Sequence, residues 1–292
     1  MASGKNLHEH AAVVSIERAC VLVFAGSDPS GGAGIAADIQ AIAGVGAHAL
    51  PVVTVLTAQD NNRVHAIQAV AAAMVTAQAE AVIGAIPVAA VKIGLVGSRD
   101  NAAAIVRLLQ RLRADDPALP VVLDPVLASG HGDALTVDDA ISTLTPLLPY
   151  VTVITPNLPE AALLYAALDR CQPSMQESAA GQASLSQARC FFKHGIAHVL
   201  LKGGHGSGDL VVNRWWANND TTREWTWPRL PDDYHGSGCT LAAGIAGKLA
   251  QGMGMGEAID QGQRFCQQAL TEAFAIAPGQ KIPSRTVIAP SN

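Results

Sequence analysis

The feature that most constrains this chain is a repeated alternation of two patterns. Short apolar runs rich in β-branched residues occur at 20–26, 50–57, 90–96, 120–126, 151–155 and 198–204, and stretches of helical length lie between them at 35–47, 71–85, 102–113 and 158–168. The runs do not alternate polar with apolar, which is the pattern of strands covered on both faces. The rhythm therefore predicts an α/β fold, with a mostly parallel central sheet flanked by helices on both faces. Right-handed crossovers follow from the same geometry.

After residue 204 the pattern changes. Residues 208–216 and 223–228 read as a small antiparallel hairpin around the turn-rich 217–220, and helices at 240–249 and 256–274 close the fold. The hairpin carries Trp215, Trp216, Trp225 and Trp227, which suit either a cover over a ligand or a subunit interface. The polar stretch 171–184 reads as a loop. Residues 1–18 form a polar leader without the apolar core of a signal peptide, 19–278 a single domain, and 279–292 a C-terminal tail expected to fray.

Composition excludes several function classes. With 292 residues, 49% of them hydrophobic but only 4% aromatic, the chain can bury a large core of small side chains. A net charge of −5 without a basic stripe argues against nucleic acid as a partner. No apolar run reaches the roughly 18 residues of a membrane span. Cys20, Cys171, Cys190, Cys239 and Cys266 are scattered, with no C-x-x-C pair, so neither a disulfide framework nor a zinc site is expected, and a reducing, cytoplasmic setting follows.

In an open parallel sheet, ligands bind beyond the carboxyl ends of the strands. The first strand runs into GSDPSGGAG, from Gly26 to Gly34, a tight loop before a helix whose amides can receive an anion or a polar ring. It is neither a G-x-x-x-x-G-K-[ST] loop nor a G-x-G-x-x-G fingerprint. Asp38 stands near the start of that helix, where it either accepts from a ligand or simply complements the dipole. Gln59 ends the second strand, and its amide suits the edge of a heteroaromatic ring as well as an ordinary turn.

Asp124 ends a buried strand in VVLDPV, where a carboxylate is costly without a partner. Thr155 opens TPNLPE, in which Asn157 and Glu160 face one side of a starting helix. Oxygen donors of this kind suit Mg²⁺, but a helix capping box reads identically. Lys202 in LKGG is placed to meet phosphate charge, or to lie in a plain turn. Finally Gly236, Ser237 and Gly238 open an apolar helix, and their amides converge as an anion hole would. Cys239 follows at the helix N-terminus, where a thiol pKa is expected to fall, although a free cysteine is as often a small buried hydrophobe.

Taken in order and spacing, GSDPSGGAG, TAQD, KIGLVG, LDPV, TPNLPE, KGG and HGSGCT over residues 20–275 resemble the hydroxymethylpyrimidine/phosphomethylpyrimidine kinases of thiamine synthesis, within the ribokinase-like superfamily. The resemblance implies ATP and Mg²⁺ as cofactors, a small-molecule substrate, and a homodimer. It implies a pyrimidine pocket of Gly26, Asp38, Gln59, Leu95 and Val126. ATP would be met by Lys202, Asn157 and Thr155, and metal by Asp124, Asn157 and Glu160. Gly236, Ser237 and Gly238 would form the anion hole, with Lys202 beside it and Cys239 in the position of the catalytic base. Leu95 departs from the methionine common at its place, and Ser27 and Ser237 replace threonines but keep the hydroxyl. Pyridoxal kinases share much of this pattern and are the alternative reading. A non-catalytic pyrimidine-binding regulator fits less well, because Lys202, Glu160 and the anion-hole glycines are all retained.

Overall fold

The computed structural model describes residues 17–129, 132, 133, 135–169 and 180–286. The leader expected at 1–18 lies outside them save for its last two residues, as do most of the expected loop at 171–184 and Cys171.

Among the described residues a single sheet of nine strands organises the fold. In chain order the strands are β1 (Cys20–Ser27), β2 (His48–Gln59), β3 (Val64–Ala69), β4 (Ala90–Ile93), β5 (Val121–Leu123), β6 (Val153–Ile154), β7 (His198–Leu201), β8 (Leu210–Ala217) and β9 (Thr222–Pro228). Their spatial order is β3-β2-β1-β4-β5-β6-β7-β8-β9. The six from β2 to β7 across the middle are parallel, while β3 at one edge and β8–β9 at the other pair antiparallel. The hairpin was legible in the sequence. The edge strand β3 was not, because its run Val64–Ala69 carries His65 and Gln68 and is half exposed.

Helices cover both faces, as the unbroken apolar runs require. On one face Leu22, Phe24, Val91 and Ile93 pack with α2 (Ala72–Ile83) and α3 (Arg99–Asp115). The alternate residues Val21, Val23 and Ala25 face α1 (Gly34–Gly44), α7 (Ser237–Ala250) and α8 (Met255–Thr271). The remaining helices are α4 (Ala140–Leu144), α5 (Leu158–Leu168) and α6 (Ala180–Lys193), with a 3₁₀ turn at Thr145–Tyr150. Thus residues 180–184, expected in a loop, form the first turn of α6. No described helix is long and apolar enough to cross a membrane.

The aromatic hairpin divides its tryptophans: Trp215, Trp216 and Trp225 are buried against their own chain, Trp225 Nε1 donating to Asp260 Oδ1 on α8 at 2.7 Å, while Trp227 lines the large cavity, as a cover over a ligand would. One expectation meets a different outcome. The tail after Pro278 does not fray as far as it is described. Lys281 bridges Tyr234, Ile282 bridges Phe274, and Arg285 is 1% exposed. Backbone pairing and a buried guanidinium hold this stretch down, which composition alone does not reveal.

The chain passes from β1 to β2 on one side and returns to β4 on the other side of β1. That reversal leaves a crevice beyond the carboxyl ends of neighbouring strands.

Candidate active site

A cavity of about 1000 Å³ lies over these strand ends. Each parallel strand delivers one part of its wall. β1 supplies Gly26, and a Cβ there would stand 2.9 Å from Leu95 Cδ2, so glycine lets the leucine side chain reach the backbone. Gln59 from the end of β2 and Val126 after β5 line the same side.

The cavity is also lined by charged groups. Asp124 follows β5 and Lys202 follows β7, and Lys202 Nζ donates to Asp124 Oδ1 at 2.7 Å. Burial works against ionisation of Asp124, but Lys202 and then Lys92 outweigh it and hold the carboxyl below its ordinary range. Asn157 caps α5 in a reciprocal box: Glu160 N–H donates to Asn157 Oδ1 at 2.8 Å, and Asn157 N–H donates to Glu160 Oε2 at 2.7 Å. Both still line the cavity, so the capping and binding readings hold together. Burial, with Asp124 nearby, raises the Glu160 carboxyl to about 7 against the opposing pull of Lys202.

Gly236 adopts φ 80°, in the left-handed region, and a Cβ there would lie 2.1 Å from Gly32 O. This tight crossing lets the glycine loop after β1 touch the start of α7. No side chain caps α7, so its first-turn amides have no acceptor supplied by the cap. Gly236, Ser237, Gly238 and Cys239 all line the cavity. A Cβ on Gly238 would stand 3.0 Å from Lys202 Nζ and 3.5 Å from Asp124 Oδ2, so the anion hole and the charged pair meet at this residue.

Three expectations need correction. Asp38 does not reach the cavity wall: it is fully enclosed, and its Oδ2 accepts from Lys92 Nζ at 2.8 Å. Thr155 is also fully buried, where its hydroxyl donates to Asp124 Oδ1 at 3.3 Å and so supports the carboxylate from behind. The Cys239 thiol is not acidified by the helix end. Burial, reinforced by Asp124 and Asp38, pushes its pKa up to about 11, and Lys92 offsets this only in part.

The structure adds residues that the motif reading passed over. Lys92, in the middle of an apolar strand, is wholly buried at the cavity floor. Burial opposes its charge, but Asp38, Cys239 and Asp124 together outweigh that and push the ammonium pKa up. Asp28 accepts from Ser30 N and Ala33 N and lies 2.8 Å from His235 Nε2, locking the first glycine loop to the loop before α7. A lysine inside a strand was the one available signal for Lys92. Nothing local marked Asp28 or His235.

Among the described residues no group of three or more His, Cys, Asp or Glu side chains forms a metal cluster. The donors present, Asp124 and Glu160, nevertheless fit Mg²⁺ that arrives with phosphates, keeps several waters and touches the protein through one or two carboxylates.

The family model described as phosphomethylpyrimidine kinase matches residues 28–284. The chain belongs to the phosphomethylpyrimidine kinase family. It is 36% identical over 264 residues to the hydroxymethylpyrimidine/phosphomethylpyrimidine kinase of Rhizobium meliloti, covering 90% of this chain and 94% of that protein. The solved phosphomethylpyrimidine kinase of Clostridium difficile 630 superposes with a TM-score of 0.72 at 30% identity, over 87% of this chain and all of that one. Pyridoxal kinase of Bacillus subtilis, solved as an ADP complex, gives a TM-score of 0.76 at 26% identity, over 92% and 98% of the two chains. Both solved kinases thus share the fold described above.

Proposed function

We propose that this phosphomethylpyrimidine kinase family member transfers the γ-phosphoryl group of ATP first to the hydroxymethyl oxygen of 4-amino-5-hydroxymethyl-2-methylpyrimidine, and then to the monophosphate so formed, in thiamine synthesis. The observation that carries this reading is one cavity lined by Gly236, Ser237, Gly238, Lys202 and Asp124 together with Gly26, Gln59, Leu95 and Val126, in which Gly238 lies against Lys202 and Asp124.

Gln59 presents donor and acceptor to the aminopyrimidine edge, while Leu95 and Val126 pack its ring. Lys202 offsets phosphate charge, and the amides of Ser237 and Gly238 stabilise the charge that spreads over the migrating group's oxygens. Mg²⁺, when bound, neutralises phosphate charge; Asp124 and Glu160 are the residues that would hold it, with Asn157 fixing Glu160. Cys239 faces the acceptor. Its thiol, with a pKa of about 11, is neutral near pH 7 and so does not repel an anionic monophosphate. For the alcohol, the proton must leave as the new bond forms; only the thiolate form of Cys239 can take it, and Lys92 is the charge that stabilises that form against burial. Assembly as a homodimer and residence in a reducing cytoplasm belong to the same proposal.

The decisive experiment measures ADP release with hydroxymethylpyrimidine, its monophosphate, pyridoxal and pyridoxine in turn. Turnover of both pyrimidines well above the pyridoxal compounds supports the proposal. Preference for pyridoxal would move the chain to the second reading, which the likeness to the Bacillus subtilis enzyme keeps open. No turnover with any acceptor would leave the regulator.

A further inference from the structure

The C-terminal segment brings a buried guanidinium to the back of the anion hole. Arg285 follows a stretch held by Ser284 N–H donating to Ala269 O on α8, and by the bridges of Lys281 and Ile282. Its Nε donates to Thr240 Oγ1 at 2.7 Å and its Nη2 to Gly32 O at 2.5 Å. The same Nη2 reaches the carbonyls of His235 and Gly236 at 3.5 Å each, and Nη1 reaches Gln40 Oε1 at 3.4 Å. Thr240 Oγ1 in turn donates to Gly236 O at 2.8 Å.

Two physical consequences follow. In a trans peptide the carbonyl and the next N–H point in opposite directions. The carbonyls of His235 and Gly236 face Arg285, Gly236 O also accepting the Thr240 N–H at 2.9 Å, so the N–H groups of Gly236 and Ser237 point away from the guanidinium. Gly236 and Ser237 both line the cavity, which puts those donors on the ligand's side. Secondly, every hydrogen-bond acceptor of Arg285 is neutral, and among the described residues no carboxylate lies at ion-pair distance from it. A buried cation at the amino end of a helix is unfavourable by itself. An anion on the far side of the Gly236–Ser237 peptides would relieve it.

We infer that Arg285 is a positioning residue for phosphoryl transfer, which aims the amides of Gly236 and Ser237 through their carbonyls and supplies positive potential behind them. The inference rests on the kinase reading. It differs from a packing role in what it predicts for turnover at saturation.

The test compares steady-state kinetics of the full chain with Arg285→Met, Arg285→Lys and Thr240→Val. We expect Arg285→Met to lower kcat about a hundred-fold, the scale of losing one preorganised oxyanion donor, with acceptor KM within about three-fold. Arg285→Lys, which keeps the cation, should recover at least about ten-fold of that loss. Thr240→Val removes both the acceptor of Arg285 Nε and the hydroxyl bond to Gly236 O, leaving the guanidinium in place, and should lower kcat about ten-fold with the same acceptor KM. Rates are referred to folded protein, measured by circular dichroism before each assay. A Met variant with the parent kcat, or a Lys variant no faster than Met, overturns the inference. Should Arg285→Met fail to fold, Thr240→Val decides: an unchanged kcat overturns it and the expected loss upholds it. Turnover of the unaltered chain on hydroxymethylpyrimidine tests the kinase reading separately. The ratios among variants are read on whichever acceptor is used, or on ATP hydrolysis alone.

Discussion

Lys202 Nζ and Asp124 Oδ1 are 2.7 Å apart although 78 residues separate them in the chain. Both side chains are largely buried, and Thr155 holds the carboxylate from below. Removing the lysine strands a buried anion. Lys202→Met should destabilise the fold by about 3 kcal/mol, the low end for breaking a buried pair, and lower kcat/KM for ATP at least about a hundred-fold. Urea unfolding and ADP-release kinetics measure the two effects. Full stability in the variant would mean that Asp124 finds another partner or a proton.

Glu160 makes stability depend on pH in an unusual direction. Its carboxyl is raised from 4.5 to about 7 in the folded state. Between those two values the unfolded chain has released the proton and the folded chain retains it. The stability from this group is thus fully present below the lower value and is lost as pH rises through the upper one, at up to about 1.4 kcal/mol per pH unit. Glu160→Gln should flatten this part of the profile. Urea midpoints from pH 4 to 8 for both proteins check it; parallel curves would contradict the assignment.

Cys239→Asp places a fixed negative charge where Asp124 and Asp38 already disfavour one. Against an anionic acceptor 4 Å away, the repulsion is about 4 kcal/mol at an effective dielectric near 20. Phosphorylation of the monophosphate should fall far more than phosphorylation of the alcohol. Equal losses in the two steps, each followed by product chromatography, would remove the physical reason offered for a sulfur here. In the parent protein, alkylation of this thiol near pH 7.5 should also be slow compared with a free cysteine.

Gly236 and Gly238 should differ in their tolerance of alanine. At Gly236 an added methyl meets φ 80° and the backbone oxygen of Gly32 at 2.1 Å, which cannot move cheaply. At Gly238 it meets the flexible end of Lys202 at 3.0 Å. Gly236→Ala should therefore lower Tm markedly and abolish turnover. Gly238→Ala should stay folded and lose about ten-fold or more in kcat by displacing Lys202 and crowding the anion hole. Thermal melts beside turnover numbers separate the two cases.

The sequence by itself determined the layered α/β architecture, because unbroken apolar runs can be satisfied only by helices on both faces, and local periodicity records this directly. It also marked a run of cavity-lining residues, since glycine loops and polar strand ends are local features: Gly26, Gln59, Asp124, Asn157, Glu160, Lys202 and the 236–239 turn all reach the cavity. Tertiary structure alone decided which charges pair across the fold. Lys92 claims Asp38, Thr155 turns beneath Asp124, His235 closes on Asp28, and Arg285 travels back from the C-terminal segment to Gly32. Such choices depend on burial and on partners distant in the chain. For the same reason Cys239, placed by sequence at an acidifying helix end, carries a thiol whose pKa burial raises instead.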